Sequence, residues 1–241
     1  MVDGFTAAQT VLEAAEGDPA ELPQRLCRAM CEALSVDGAS LSLFTQTSHR
    51  QLLCATDASA LKLEELQFGL GEGPCVTAAE TNSPVIVGDM SRDLSRWPLF
   101  GISAREQLPE VGAVYAFPLQ FGTRRAVGST DLLLLEPLEP DEETVQQGLA
   151  AARAAGMALL HVYQATQSHG ELPPWEPADI LDTHWGATHQ AVGMLAEHLE
   201  ITIEEALARM RARAFVLGRP LPEVAVDVRA HLSAWEDDDA P

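Results

Sequence analysis

Apolar residues change their spacing several times along the chain, and each change marks an element. Residues 6–16 carry a short helical pattern. Asp18-Pro19-Ala20-Glu21 then reads as an N-terminal cap, a capping acid followed by Pro in the first turn. Leu22, Leu26, Met30 and Leu34 follow at helical spacing. At 39–44 the period drops to two. Ala39, Leu41 and Leu43 alternate with Ser40 and Ser42, the pattern of a half-buried strand, and residues 51–56 read as its hairpin partner. Ala113, Tyr115, Phe117, Leu119 and Phe121 alternate again. Gly122-Thr123-Arg124 turns the chain into a fourth strand at 125–135, which ends in four leucines. Helical and loop segments fill 57–110. A meander of strands with helices at both ends and one long excursion predicts an α+β domain, an antiparallel sheet flanked by helices.

Residues 141–168 form the next predicted helix, with Asp141, Glu142 and Glu143 at its positive end. Val145, Leu149, Ala152, Gly156, Leu159, Tyr163 and Thr166 fall at alternating steps of four and three. Two readings stand: a face that lies on the sheet, or a seam that packs on its twin in a homodimer. The segment GELPPWEP at 170–177 stops the helix. Beyond it the pattern is helical throughout. Ala191, Leu195 and Leu199 share one face. Thr202-Ile203-Glu204-Glu205 is a capping box for a helix carrying Ile203, Leu207, Met210, Ala214 and Leu217. Gly218 ends that helix, and Pro220 opens a third with Leu221, Val224, Ala225, Val228 and Leu232 on one stripe. Three short amphipathic helices need one another to bury their faces, so a small all-α three-helix module follows the α+β domain. The divisions are 1–168 with its closing helix, a Pro-rich linker at 169–177, the helical module at 178–235, and an acidic tail at 236–241.

Charge narrows the picture. The 241-residue chain carries a net charge of −21, and residues 169–241 hold 14 acids against five arginines, a net −9. Such a chain repels phosphate overall, so nucleic-acid binding requires a local patch or a small footprint doubled by dimerisation. No apolar run is long enough to span a bilayer, and the first 18 residues carry acids and no Lys or Arg, the opposite of a secretory signal. A cytoplasmic location is expected. Four cysteines do not make a disulfide framework at this length. Cys27 and Cys31, one turn apart, read as core, and with no nearby His they make no zinc site. His184 and His189 do not share a helix face well, so no metal is expected. No catalytic triad, P-loop or paired-carboxylate motif is present, and no enzyme activity is expected.

Two segments resemble known families. His189-Gln190-Ala191-Val192-Gly193-Met194-Leu195 resembles the first element of an ANTAR domain, commonly Q-A-K-G-I-L. Glu205-Ala206-Leu207 with Arg211, then Arg219-Pro220-Leu221 and Glu223-Val224-Ala225, resemble its later elements. The match covers about 50 residues in order. It departs at Val192, where the family has Lys, and at Glu200, where it has Gly. In the N-terminal domain, Gly69-Leu70-Gly71-Glu72-Gly73-Pro74-Cys75 followed by Ala78, Ala79 and Glu80 resembles the G-x-G-E-G-P-C stretch of GAF domains fused to ANTAR domains. Pro84-Val85-Ile86-Val87, Asp89, Asp93, Trp97 and Pro98 fit the strand and loop that follow.

The resemblances imply a GAF sensor joined to an ANTAR module, a transcription antitermination regulator that grips paired RNA hairpins. Gln190, Gly193, Arg211 and Arg219 then occupy RNA-facing motif positions, with Arg209 and Arg213 supplementing them. Read singly, each has a plainer role: Arg209 pairs with Glu205 at i, i+4, and Gly193 is a helix contact. The sensor implies a small-molecule or redox signal, with no cofactor specified. Its pocket is expected between the sheet and the 57–110 excursion, walled by Trp97, Phe100, Tyr115 and Phe117, with ordinary core as their plainer reading. Cys75, near a helix N-terminus, is either a reactive thiol or a buried inert one. The competing function is a protein-interaction regulator whose bundle no longer binds RNA.

Overall fold

The computed structural model describes residues 6–44, 50–120, 125–176 and 183–235. The chain divides into two compact units, residues 1–44 with 52–176, and residues 45–51 with 177–241.

The first unit is α+β. Helix α1 (Thr6–Glu13) is followed by α2 (Leu22–Leu34), after a turn capped by the Asp18 side chain, which accepts from the Ala20 N–H. Strands β1 (Gly38–Phe44) and β2 (Arg50–Ala55) come next. The excursion holds α3 (Ala58–Leu70), α4 (Pro74–Thr81), a short strand β3 (Val85–Val87) and α5 (Pro98–Gln107). Strands β4 (Ala113–Gln120) and β5 (Ala126–Leu134) complete a five-stranded sheet of order β2-β1-β5-β4-β3, and α6 (Glu142–Gln167) closes the unit. The expected meander is therefore corrected at one joint. β1 pairs antiparallel with β5, Ser42 opposite Ser129 and Ser40 opposite Asp131, so the last strand enters the middle of the sheet.

Both faces of the sheet are covered. Side chains alternate across the pleat. Ala39, Leu41, Tyr115, Phe117, Leu119, Leu132 and Leu134 form one core with residues of α1, α2 and α6. Val85, Val87, Val114, Ala116 and Leu133 form another with α3, α4 and α5. Ser40 and Ser42 belong to that second face and are fully buried, so the pattern read as half-buried comes from a strand buried on both sides.

The closing helix resolves the choice between its two readings. Ala152 and Leu159 are buried in the first core, and Val145 and Leu149 pack against it. A Cβ added at Gly148 would run into the Phe117 ring, and one at Gly156 would lie 2.7 Å from the Gln120 carbonyl oxygen. The seam's small residues let α6 approach β4, and from 145 to 159 it is spent inside its own domain. Tyr163, beyond it, is exposed.

The second unit contains α7 (Gly186–Leu199), α8 (Ile203–Leu217) and α9 (Leu221–Ala230), then a 3-10 turn at Leu232–Trp235. Thr202 caps α8 by accepting from the Glu205 N–H, and Gly218 ends it in the left-handed region at φ +60°. Ala191, Leu195, Leu207, Met210, Val224 and Val228 are buried among the three helices. Among the described residues, no helix is long and apolar enough to cross a membrane.

Candidate functional site

The α3–α5 side of the sheet carries a buried polar cluster at its β1–β5 centre. Ser40 and Ser42 on β1 each donate to Glu64 of α3, at 2.6 and 2.7 Å. Gln67, one turn further along α3, donates from Nε2 to Asp131 of β5 at 2.5 Å. Its Oε1 accepts from the Cys75 N–H at 2.8 Å. Ser129, opposite Ser42, has a buried Oγ with no hydrogen-bond partner among the described residues. All six side chains are fully buried. Burying carboxylates is costly unless donors converge on them, and here two hydroxyls and an amide do so.

The glycine-rich motif between α3 and α4 builds one wall of this cluster. Gly71 ends α3 at φ +71°, and Gly73 turns into α4 at φ +142°. Pro74 occupies the first turn of α4, where its missing N–H costs nothing. Glu72 reaches across to accept the Phe100 N–H at 2.7 Å, satisfying an otherwise orphaned donor in the first turn of α5. The Trp97 indole donates to Thr77 of α4 at 2.9 Å.

The five expected pocket residues separate into two groups. Trp97 and Phe100 lie between the sheet and the excursion, edge to face at 6.2 Å, and are buried. Cys75 lies at the start of α4, fully buried. Tyr115 and Phe117 are a correction. They occupy alternate positions of β4 that point to the opposite face, under α6, and the Tyr115 hydroxyl donates to the Leu138 carbonyl. The alternation was read rightly, but its inward face belongs to the closing helix and not to the excursion. Sequence reasoning missed Glu64, Gln67, Ser129 and Asp131. The available signal was Asp131, a lone acid inside an otherwise apolar strand.

The second unit distributes its expected RNA-facing residues unevenly. Gln190 is exposed on α7, and among the described residues an added Cβ at Gly193 would meet nothing within 4 Å. Val192, at the family's Lys position, is buried. On α8, Arg209, Arg211 and Arg213 are each half-buried. Burial, with the Arg50 guanidinium adding repulsion, pushes Arg211 down to about 10. The Arg213 guanidinium lies 4.7 Å over the Trp235 ring. Arg219 bonds to Glu223 at 3.0 Å and to Asp227 at 2.5 Å, so two neighbouring carboxylates hold it. Among the described residues, no group of three or more His, Cys, Asp and Glu is placed to hold a metal ion.

Comparison with known proteins places the first unit. The family model for the GAF domain matches residues 16–160. A GAF domain of a phosphoenolpyruvate-protein phosphotransferase from Coxiella burnetii is similar in structure, with a TM-score of 0.51 and 16% identity over 69% of this chain and 99% of that one. A domain of a putative two-component sensor histidine kinase protein from Sinorhizobium meliloti gives a TM-score of 0.48 and 19% identity over 64% of this chain and 99% of that one. No curated protein matches the chain. With more than half its length matched, the chain belongs to the GAF domain family.

Proposed function

We propose that the protein is a signal-responsive regulator whose C-terminal three-helix module binds structured RNA, as the ordered resemblance to ANTAR antitermination modules implies. The GAF domain receives a small-molecule or redox signal. In this reading, a small molecule meets the α3–α5 side of the sheet, and the protein carries no catalytic step.

One observation carries the RNA reading. Glycine inside a helix costs about 1 kcal/mol relative to alanine, and Gly193 sits mid-helix where an added Cβ would meet nothing within 4 Å among the described residues. Among the described residues, the module's own packing gives no reason for a glycine there; close approach by a partner backbone does. Gln190, three residues earlier, shares that helix face and is exposed. RNA loops present unstacked bases and phosphates to such a face. Two modules on a homodimer would meet two hairpins.

Filter binding of the full chain to paired-hairpin leader RNAs, at several salt concentrations, tests this. Salt-sensitive binding that Gly193→Leu and Gln190→Ala abolish, with circular dichroism unchanged, supports it. A specific observation favours the competing reading, a protein partner. The end of α8 exposes Phe215 at 57% and Val216 at 81%, while Arg219 is occupied by acids. Absence of RNA binding at low salt would select that reading.

A further inference from the structure

Three of the five arginines in residues 169–241 fall within a short stretch of α8, Arg209, Arg211 and Arg213. Arg209 and Arg213 are one turn apart and share a helix face, about 6 Å from each other along the axis. Like charges at that spacing repel, so the face favours an acidic neighbour. Trp235 is the last described residue of the chain. It is buried, and the 3-10 turn that carries it packs on α9 and α7. The Arg213 guanidinium lies over its ring, 4.7 Å from the centroid. Trp235 thus fixes the point from which the chain continues, beside the α8 arginines. The residues that follow it are Glu236, Asp237, Asp238 and Asp239.

We propose that the acidic run 236–239 docks on the Arg209–Arg213 face of α8 and competes there with an anionic partner. Length and charge both fit. Four residues reach roughly 13–14 Å when extended, about twice the spacing of the two arginines, so the run crosses both from its anchor at Trp235. Each guanidinium offers a fork of N–H donors that matches a carboxylate. The module already treats one arginine this way, since Glu223 and Asp227 hold Arg219. Tethering adds weight, because a segment that starts beside its docking face acts at an effective concentration on the order of millimolar. An incoming anion must displace it. A folded RNA that gains further contacts on the module does so, while isolated phosphates do not. That purpose rests on the RNA reading. The docking does not, and it is measured without RNA, so the two fail separately.

The test compares the full-length protein with a tail variant, Glu236→Gln with Asp237→Asn, Asp238→Asn and Asp239→Asn. A charge control changes four exposed acids of the first unit, Glu16, Glu32, Glu106 and Glu136, to Gln, so both variants lose the same negative charge. Phenylglyoxal modification at low salt, read peptide by peptide by mass spectrometry, reports access to each guanidinium. The tail variant should modify Arg209 and Arg213 about 2- to 30-fold faster, the range spanned by two exposed ion pairs. Arg92, 82% exposed in the first unit, should react at the wild-type rate. The difference should close at high salt, where exposed pairs are screened. Affinity of the tail variant for inorganic polyphosphate should rise by a similar factor, and Arg209→Gln with Arg213→Gln should remove that gain. Unchanged modification of Arg209 and Arg213 in the tail variant overturns the docking. Equal acceleration in the charge control overturns it as well, because net charge alone then suffices. A polyphosphate gain that survives loss of both arginines overturns the assignment to this face.

Discussion

Gln67 and Asp131 are joined across the domain interior, the Gln67 amide donating at 2.5 Å to a carboxylate on the neighbouring sheet. The same amide accepts the Cys75 N–H, so one side chain ties α3 to β5 and to the start of α4. Gly73 lies directly against it. A Cβ there would sit 2.7 Å from Gln67 Cγ and Oε1, at a backbone φ of +142° that L-residues rarely adopt. Gly73→Ala therefore both strains the turn and displaces the amide. Strain of this kind costs on the order of 1–3 kcal/mol. The urea midpoint should fall with the m-value unchanged. Gln67→Leu should cost a similar amount, about 1–3 kcal/mol, by stranding the buried Cys75 N–H. A Gly73→Ala protein as stable as wild type would sink this account of the motif.

Glu72 has a different task in the same motif, because its partner is the Phe100 N–H in the first turn of α5. Removing a side-chain acceptor at a helix start costs roughly 0.5–2 kcal/mol. Glu72→Ala should lose that much and should speed amide exchange at Phe100. Glu72→Gln keeps an acceptor oxygen of the same reach and should lose less. A Phe100 exchange rate in Glu72→Ala equal to that of wild type would show that the carboxylate does not hold α5.

The two devices show what the sequence made legible. The motif at 69–75 was recognisable because turns at positive φ need glycine and a helix start accepts Pro, both local demands. The caps at Asp18, Thr202 and Gly218 were legible for the same reason. The face assignments were not. Period two says that Tyr115 and Ala116 point to opposite sides, but not which side meets α6. Ser40 and Ser42 looked solvent-facing, yet Glu64, 24 and 22 residues away in sequence, meets them in the interior. Helix α6 carried a spacing equally suited to a partner helix or a sheet. Gly148 and Gly156 decided it only once β4 lay beneath them.

Tyr115 gives a pH-dependent test of its corrected position. Burial, with Glu139 nearby, raises its hydroxyl from about 10 to about 12. The unfolded chain thus releases this proton at lower pH than the folded one. Its contribution is fully present below pH 10 and is lost as pH rises from about 10 through about 12. Tyr115→Phe removes both the titration and the bond to Leu138, a bond of about 1 kcal/mol for a neutral pair. Urea unfolding should show the variant less stable at pH 8, with the gap closing between pH 10 and pH 12. A gap that stays constant to pH 12 would mean that the hydroxyl titrates alike in both states.

Arg219 tests the RNA reading at its weakest point. Glu223 and Asp227 hold its guanidinium, and all three side chains are at least a third exposed. Exposed pairs of this kind add little to stability, so the clamp can be removed without unfolding the module. It matters instead to an anionic partner, since it neutralises a cation and adds negative charge beside it. Glu223→Gln with Asp227→Asn should therefore raise affinity for a hairpin RNA. If the released guanidinium meets a phosphate, the slope of log K against log salt should steepen by roughly 0.7–0.9. A protein-binding module predicts no such gain, because freeing a cation creates no RNA site where none exists. Filter binding of wild type and double variant from low to physiological salt separates the outcomes. An unchanged slope with folded protein would place Arg219 outside any RNA contact.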